Sequence, residues 1–262
     1  MAKKETKPAT ELIIETLREK SGMKQDVVEK TDIAFKSFKQ QANEIAKQLQ
    51  KDVSTFDKRL KIEHSDKSSL IFHLRFAGDT LIFYRHTNIF QFEKSHPLWK
   101  TAYFRDDEQR SYCGIINIFN FLTDSLLYQR QGDRGYLVAR VFINKDGHYF
   151  VEGKRQLSFL YNNFTEQVFD DSAAHSIIES AMLYSLDFDL YTPPYDSIKE
   201  VGVSDILEQT ANLNISTAKR LGFRFTRRID LHTIAVDAVH PDHGNGGGFL
   251  VVSDRVQVAR FN

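Results

Sequence analysis

The chain is poor in cysteine and has no excess charge of either sign, and both shortages narrow what the protein can be. Its single cysteine, Cys113, has no partner in the chain, which excludes an internal disulfide and favours a reducing compartment. The 35 basic and 35 acidic residues give a formal net charge of zero. A neutral molecule has no overall field that attracts nucleic acid or anionic membranes, so such binding would need a local basic patch.

Long apolar runs are also missing. No window approaches the roughly 20 apolar residues that a membrane-spanning helix needs. The N-terminus, MAKKETKPATELIIETL, lacks the apolar segment and the small-residue cleavage site of a secretory signal. Together with the lone cysteine, these absences predict a cytoplasmic protein without a membrane partner.

The residues that are present are typical of a folded domain with a sizeable core. Hydrophobic residues make up 41% of the 262 residues and charged residues 27%, which argues against overall disorder. The chain contains 21 phenylalanines, so we expect a core rich in aromatic rings.

The stretch 135–155, GYLVARVFINKDGHYFVEGKR, predicts a β-hairpin at the centre of the fold. Its first arm, residues 136–144, is apolar on both faces apart from Arg140, as in a strand covered on both sides. The connection Asn144-Lys145-Asp146-Gly147 has the residues of a type I turn that ends in a left-handed glycine. Side chains of the return arm alternate between the two faces of the strand, and one face carries His148, Phe150, Glu152 and Lys154.

Residues 1–9 form a charged tail, and residues 10–51 predict a helical hairpin whose first helix stops at Ser21-Gly22. The second helix carries an apolar stripe with steps of three and four: Val28, Thr31, Phe35, Phe38, Ala42, Ile45 and Leu49. One interpretation is a homodimer through Val28, Phe35, Phe38, Ile45 and Leu49. The favoured interpretation is packing on the protein's own sheet, because three heptads are the lower limit for a coiled coil.

Residues 52–190 predict an α+β core. Alternating residues around positions 60–64, 70–76, 81–85 and 89–92 predict an antiparallel meander with a turn at Gly78-Asp79. Its Leu and Phe face needs a cover, for which the preceding helix is the nearest candidate. Residues 113–128 and 173–185 predict further helices. The predicted fold class is therefore α+β, with meander and hairpin in one antiparallel sheet of about six strands, covered by the N-terminal helical pair and later helices.

Residues 191–228 predict short helices with a basic stretch, and residues 229–262 a C-terminal hairpin or poorly ordered tail. Helices at 204–212 and 216–221 have the outline of a helix-turn-helix. The basic stretch could hold a phosphate backbone and consists of Lys219, Arg220, Arg224, Arg227 and Arg228. The favoured alternative is a solvated basic face or a complement to a helix dipole.

The Glu152-Gly153-Lys154 sequence resembles the site of metal-dependent nucleases of the PD-(D/E)xK type. The resemblance implies that Glu152 would hold Mg²⁺ or Mn²⁺ while Lys154 positions the attacking water. Asp133 is the candidate second acid, and Glu44 could supply a third. The competing interpretation is that Glu152 pairs with Arg140 on the facing arm as part of the structure.

Two functional hypotheses follow. The favoured one is a cytosolic binding or regulatory protein that needs no cofactor, because no catalytic constellation is complete in the sequence. The alternative is a metal-dependent nuclease that uses Asp133, Glu152 and Lys154 and holds nucleic acid with the basic stretch.

Overall fold

One antiparallel sheet organises the part of the chain that the computed structural model describes, namely residues 7–130, 132–159, 163–190, 192, 194–200 and 202–204. The strands are β1 Ile62–Asp66, β2 Ile71–Phe76, β3 Asp79–Arg85, β4 Phe90–Gln91, β5 Tyr112–Leu122, β6 Tyr136–Asn144 and β7 Tyr149–Gly153. The helices are α1 Ala9–Thr16, α2 Gly22–Val53, α3 Ala102–Asp106, α4 Thr123–Leu127, α5 Gln156–Phe159, α6 Asp171–Leu186 and α7 Tyr195–Ile198. This arrangement confirms the predicted α+β class.

The strand order is β1-β2-β3-β5-β6-β7, and every neighbouring pair is antiparallel. The predicted meander is correct for its first three strands. Its fourth strand, β4, does not join β3 but pairs with the start of β5, where Phe90 lies opposite Cys113. After β3 the chain therefore forms β4 at the edge of β5, and β5 itself takes the place beside β3.

The central hairpin forms as its turn residues predict. Gly147 has a positive φ of 77°, and its N–H donates to the Asn144 carbonyl at 3.1 Å. The Asn144 side-chain oxygen accepts from the backbone N–H groups of Asp146 and His148, both at 3.0 Å. An asparagine that bonds its own turn and a glycine in the left-handed region are local features, which explains why the sequence revealed them.

The predicted break at Ser21-Gly22 is wrong, because the helix runs from Ala9 to Val53 with only a π turn at Leu17–Ser21. Gly22 has helical angles, φ −57° and ψ −54°. A glycine inside a helix costs only about 1 kcal/mol relative to alanine, which continued hydrogen bonding and the burial of Met23 and Val27 can offset.

The stripe of α2 packs on the protein's own sheet, as the favoured interpretation predicts. The Phe35 ring lies 5.4 Å from that of Phe72 on β2, and the Phe38 ring lies 5.5 Å from that of Phe83 on β3. Of the stripe, Thr31, Phe35, Phe38, Ala42 and Ile45 are buried. A partner helix could reach these side chains only if α2 left the sheet.

The predicted helix over residues 113–128 is also wrong, since β5 occupies most of this segment and only α4 follows it. A continuous apolar run satisfies helical spacing and a doubly covered strand equally well, and β-branched isoleucines favour the strand. Gly114 explains the close approach of the helix layer. A Cβ atom there would lie 2.1 Å from Thr31 Oγ1, so only glycine lets α2 cross β5 at this distance.

The predicted helix over residues 173–185 is confirmed as α6. The Asp170 carboxylate accepts a hydrogen bond of 2.7 Å from the Ala173 N–H and so caps the helix. Ala174, Ile177 and Ala181 are fully buried, and α6 lies beside α2 in one helix layer. Both helices therefore cover the same face of the sheet.

A buried polar network joins the end of the sheet to α6. The Asn120 amide donates to Asp79 Oδ1 and to the Tyr136 hydroxyl, each at 2.8 Å. Burial raises the pKa of Tyr136 to about 12, which keeps its hydroxyl neutral, and its ring meets Tyr184 of α6 edge to face. Hydrogen bonding makes these buried polar groups tolerable inside an otherwise apolar core.

Candidate functional site

Among the described residues, the face of the sheet opposite α2 and α6 is covered by side chains at the end near the central turn. The chain between β4 and β5 folds over this end together with Phe164, and its rings pack on those of the sheet. The cluster contains Phe92, Leu98, Trp99, Tyr103, Phe104, Phe142, Phe150 and Phe164. Cys113 is buried in it, and burial raises the pKa of its thiol well above the usual value, so the cysteine acts as a small apolar residue.

At the opposite end of this face, Thr80 is buried and its hydroxyl lies 3.0 Å from that of Thr123 at the start of α4. Between these two ends, this face has no helix over it among the described residues. We call this part the open face. Its residues alternate along each strand with core residues of the covered face, because successive side chains of a strand point to opposite sides. The open face consists of Ile71, His73 and Arg75 on β2, Ile82 and Tyr84 on β3, Asn117 and Phe119 on β5, Leu137 and Arg140 on β6, and Glu152 on β7.

An apolar row crosses the middle of the open face. Ile82, Phe119 and Leu137 lie opposite one another on three adjacent strands. Leu137 is 42% exposed, and Ile82 and Phe119 are partly exposed. Three large apolar side chains in one accessible row are unusual for a surface that contacts only water.

A β-bulge creates this row. Ile118 pairs with Ala139, but the next residue, Phe119, pairs with Leu137, so Val138 is the extra residue. Val138 turns into the core, where it is 1% exposed, and Leu137 takes the open face. The bulge therefore places the Leu137 side chain on the open face and the Val138 side chain in the core.

His73 extends the row towards β1 as a neutral group. Burial, assisted by the positive charge of Lys67, lowers its pKa to about 4. The ring lies opposite Ile82 in the register and carries no charge at neutral pH. The centre of the open face is therefore uncharged from β2 to β6.

The charges at the margin of the open face are paired within the protein. Arg140 Nε donates to Glu152 Oε2 at 2.7 Å, and its guanidinium lies 5.6 Å from the Phe142 ring centroid. The Arg75 Nη1 atom lies 3.9 Å from the Glu63 Oε2 atom on β1. These pairs leave little net charge for a polyanionic ligand.

The predicted catalytic residues have separate partners. Glu152 bonds Arg140, whereas Asp133 accepts a hydrogen bond of 2.6 Å from Ser125 and lies 3.8 Å from Arg130. Lys154 follows β7 and is exposed. Glu152 therefore pairs with Arg140, and none of these hydrogen bonds and ion pairs joins Glu152 to Asp133.

Glu44, the predicted third acid, lies on the wrong side of the sheet for that role. It accepts hydrogen bonds from the amides of Gln40 and Gln41 on α2, at 3.0 and 3.1 Å, while Glu152 points to the opposite face. Within the described ranges, no group of three or more His, Cys, Asp or Glu side chains could hold a metal ion. The nuclease remains a prediction that these contacts do not support.

The predicted nucleic-acid contacts cannot be placed. Lys219, Arg220, Arg224, Arg227 and Arg228 lie outside the described residues, as does the predicted C-terminal hairpin at 229–262. Nucleic-acid binding by this stretch therefore stays a prediction.

Sequence reasoning missed the open face. One signal was present, since Ile71, His73 and Arg75 alternate with core residues and point away from the predicted helix layer. The other signals were hidden, because the predicted helix concealed Phe119 and a bulge cannot be recognised from the strand's own residues. The open face also depends on the position of β5 between β3 and β6, which the sequence did not predict.

Comparisons with known proteins do not supply a function. No protein-family model matches the chain, and no curated protein and no solved structure matches it. Among the described residues, no helix is both long enough and apolar enough to cross a membrane. The open face is therefore the feature of the described residues from which a function can be proposed.

Proposed function

We propose that this protein is a non-catalytic binding protein that holds another protein on the open face of its sheet. The observation that carries the proposal is the row of Ile82, Phe119 and Leu137 on adjacent strands. Accessible apolar patches with a polar margin are typical of protein interaction sites.

The size of the open face fits this proposal. Five strands spaced about 4.8 Å apart, with about five residues of roughly 3.3 Å each, give an area on the order of 400 Å². Apolar patches of a few hundred Å² are often functional in monomeric proteins. The aromatic and aliphatic side chains would form the buried centre of such an interface, with Arg140 and Glu152 at its rim.

The charge of the open face supports a protein partner. A nucleic-acid ligand is held mainly by cations that contact phosphates. On this face Arg75 and Arg140 already lie beside Glu63 and Glu152, and His73 is neutral because its pKa is about 4. A partner with an apolar surface of its own matches this pattern better than a polyanion.

A matched pair of substitutions tests the proposal. Leu137→Glu places a charge in the apolar row, while Leu183→Glu places the same charge on α6, where Leu183 is 61% exposed on the helix-layer side. Each variant and the wild type are immobilised and exposed to an extract of the source cells. We expect defined proteins to bind the wild type and Leu183→Glu, and to be lost with Leu137→Glu.

Thermal unfolding of each variant checks that the fold survives, since both leucines are exposed. Retention of the same proteins by Leu137→Glu would show that the open face is not the binding surface. Capture of no protein by the wild type would also contradict the proposal.

A further inference from the structure

The helix that covers the sheet continues beyond the rim of the sheet at its N-terminal end. Lys20 and Lys24 mark this rim, because their amines lie 5.9 and 5.7 Å from the ring centroid of Tyr112 at the start of β5. Residues 9–21, which we call the N-terminal extension, contain no buried residue. At 1.5 Å per residue the extension is about 20 Å long.

The N-terminal extension exposes an apolar side. Leu12, Ile13, Ile14 and Leu17 are 48%, 57%, 52% and 57% exposed. At 100° per residue, Ile13, Ile14 and Leu17 fall within an arc of about 100°. A helix with such a stripe normally packs it against another element, because exposed aliphatic side chains lose hydrophobic stabilisation.

The buried side of the long helix begins only at Met23 and Val27, beyond the π turn at Leu17–Ser21. In the described part of the chain, the apolar side at Ile14 and Leu17 has no cover.

The charges of the N-terminal extension suit a second copy in one orientation. Glu11 and Arg18 lie on the same flank of the helix, on either side of Ile14 along its axis. In a parallel pair, the flank that carries Glu11 and Arg18 would face the opposite flank of the other copy, so these two side chains would not pair with each other. In an antiparallel pair, Glu11 of each copy meets Arg18 of the other, since a two-fold axis makes the contact reciprocal.

We propose that a second copy of this chain covers the stripe, with two N-terminal extensions paired antiparallel and the two Ile14 side chains near the two-fold axis. This homodimer goes beyond the proposed function and uses a different surface from the open face. A few side chains per copy bury much less than the ~800 Å² per partner of a standard interface. The dimer is therefore weak and forms as the concentration rises.

Sedimentation equilibrium of the full chain, from micromolar to millimolar concentration, tests the dimer. The average mass of the wild type should rise from 30.3 kDa towards twice that value. Ile14→Asp should stay monomeric. Its control, Ile33→Asp, changes a residue that is 54% exposed on α2 outside the extension and should dimerise like the wild type.

A monomeric mass for the wild type at every concentration would overturn the proposal, and so would a dimer that Ile14→Asp retains. Because the extension contains no buried residue, unchanged thermal unfolding should accompany the loss of the dimer in Ile14→Asp. Leu137→Glu should leave the dimer intact, which separates this proposal from the one about the open face.

Charge reversal tests the orientation. Glu11→Arg and Arg18→Glu should each weaken the homodimer by about tenfold, because two attractive pairs become repulsive. An equimolar mixture of the two variants should recover the affinity of the wild type, since both pairs are restored in the heterodimer. A mixture that associates no better than either variant alone would rule out the antiparallel pairing.

Discussion

The two faces of the sheet are built from the same strands, but one face is buried under helices and the other is partly exposed. On β2, Phe72, Leu74 and Phe76 are buried under α2, whereas Ile71, His73 and Arg75 on the same strand stay partly exposed. The covered face is dominated by large apolar groups that meet other rings. The open face mixes apolar, neutral and paired charged groups, which is the composition that the proposed binding surface would need in order to remain stable in water.

The largest difference should appear when the same residue type is removed from each face. Phe72 is fully buried, and its ring stacks on Phe83 at 4.4 Å. Phe72→Ala should lower the free energy of unfolding by about 3–5 kcal/mol. Phe119→Ala on the open face should cost about 1 kcal/mol, because the side chain is already partly hydrated. Urea unfolding of both variants measures the difference, and equal losses would show that the faces are packed alike.

The next effect concerns the close approach of α2 to β5. Gly114→Ala forces the new methyl group against the Thr31 side chain and should cost about 1–3 kcal/mol. Gly78→Ala is the matched control, because nothing lies within 4 Å of its new Cβ atom. Adding Thr31→Ala to Gly114→Ala should restore only part of the loss, since the Thr31 Cβ atom itself lies 2.9 Å from the added group. Full stability of Gly114→Ala would mean that the helix can move away freely.

A smaller effect should depend on pH. The pKa of His73 is lowered to about 4, mainly by burial, and an unfolded histidine titrates near 6.5. As the pH falls, the unfolded state therefore binds the proton before the folded state does. The contribution of neutral His73 to the free energy of unfolding is fully present above about pH 6.5 and is lost as the pH drops towards 4. His73→Gln should flatten the stability profile between these values. Urea unfolding at pH 7 and pH 4.5 tests this, and an unchanged slope would contradict the burial of the ring.

The smallest effect is expected at the margin of the open face. The Arg140 and Glu152 side chains are 42% and 52% exposed, so a double-mutant cycle with Arg140→Ala and Glu152→Ala should give a coupling of about 0–1 kcal/mol. A coupling of several kcal/mol would mark the pair as a buried element of the core.

The same site tests the alternative function. Purified protein is incubated with duplex DNA, single-stranded DNA and RNA, with and without Mg²⁺ or Mn²⁺, beside a Glu152→Ala/Lys154→Ala variant. We expect no metal-dependent cleavage, because the Glu152 carboxylate already bonds Arg140. Cleavage that only the wild type performs would replace the binding proposal with the nuclease.

The sequence revealed elements whose signals are local. The turn at Asn144 and Gly147 depends on the Asn144 side chain, which bonds its own neighbouring backbone. The segment of β5 could not be assigned in this way, because its apolar run fits a helix as well as a central strand. Of the candidate site, the pairing of Arg140 with Glu152 was one of two competing interpretations of the sequence, while Phe119 and Leu137 were not recognised.

By itself, the amino-acid sequence determined the neutral charge, the central hairpin, the apolar stripe of α2 and the α+β class, since each depends on composition or on residues close along the chain. Tertiary structure decided that Thr31 lies on Gly114, that β5 separates β3 from β6, and that a bulge turns Leu137 outward. These features join residues far apart in sequence, and their energies arise from packing that exists only once the chain has folded. The candidate site belongs to this second group, because its central row draws one side chain from each of three strands.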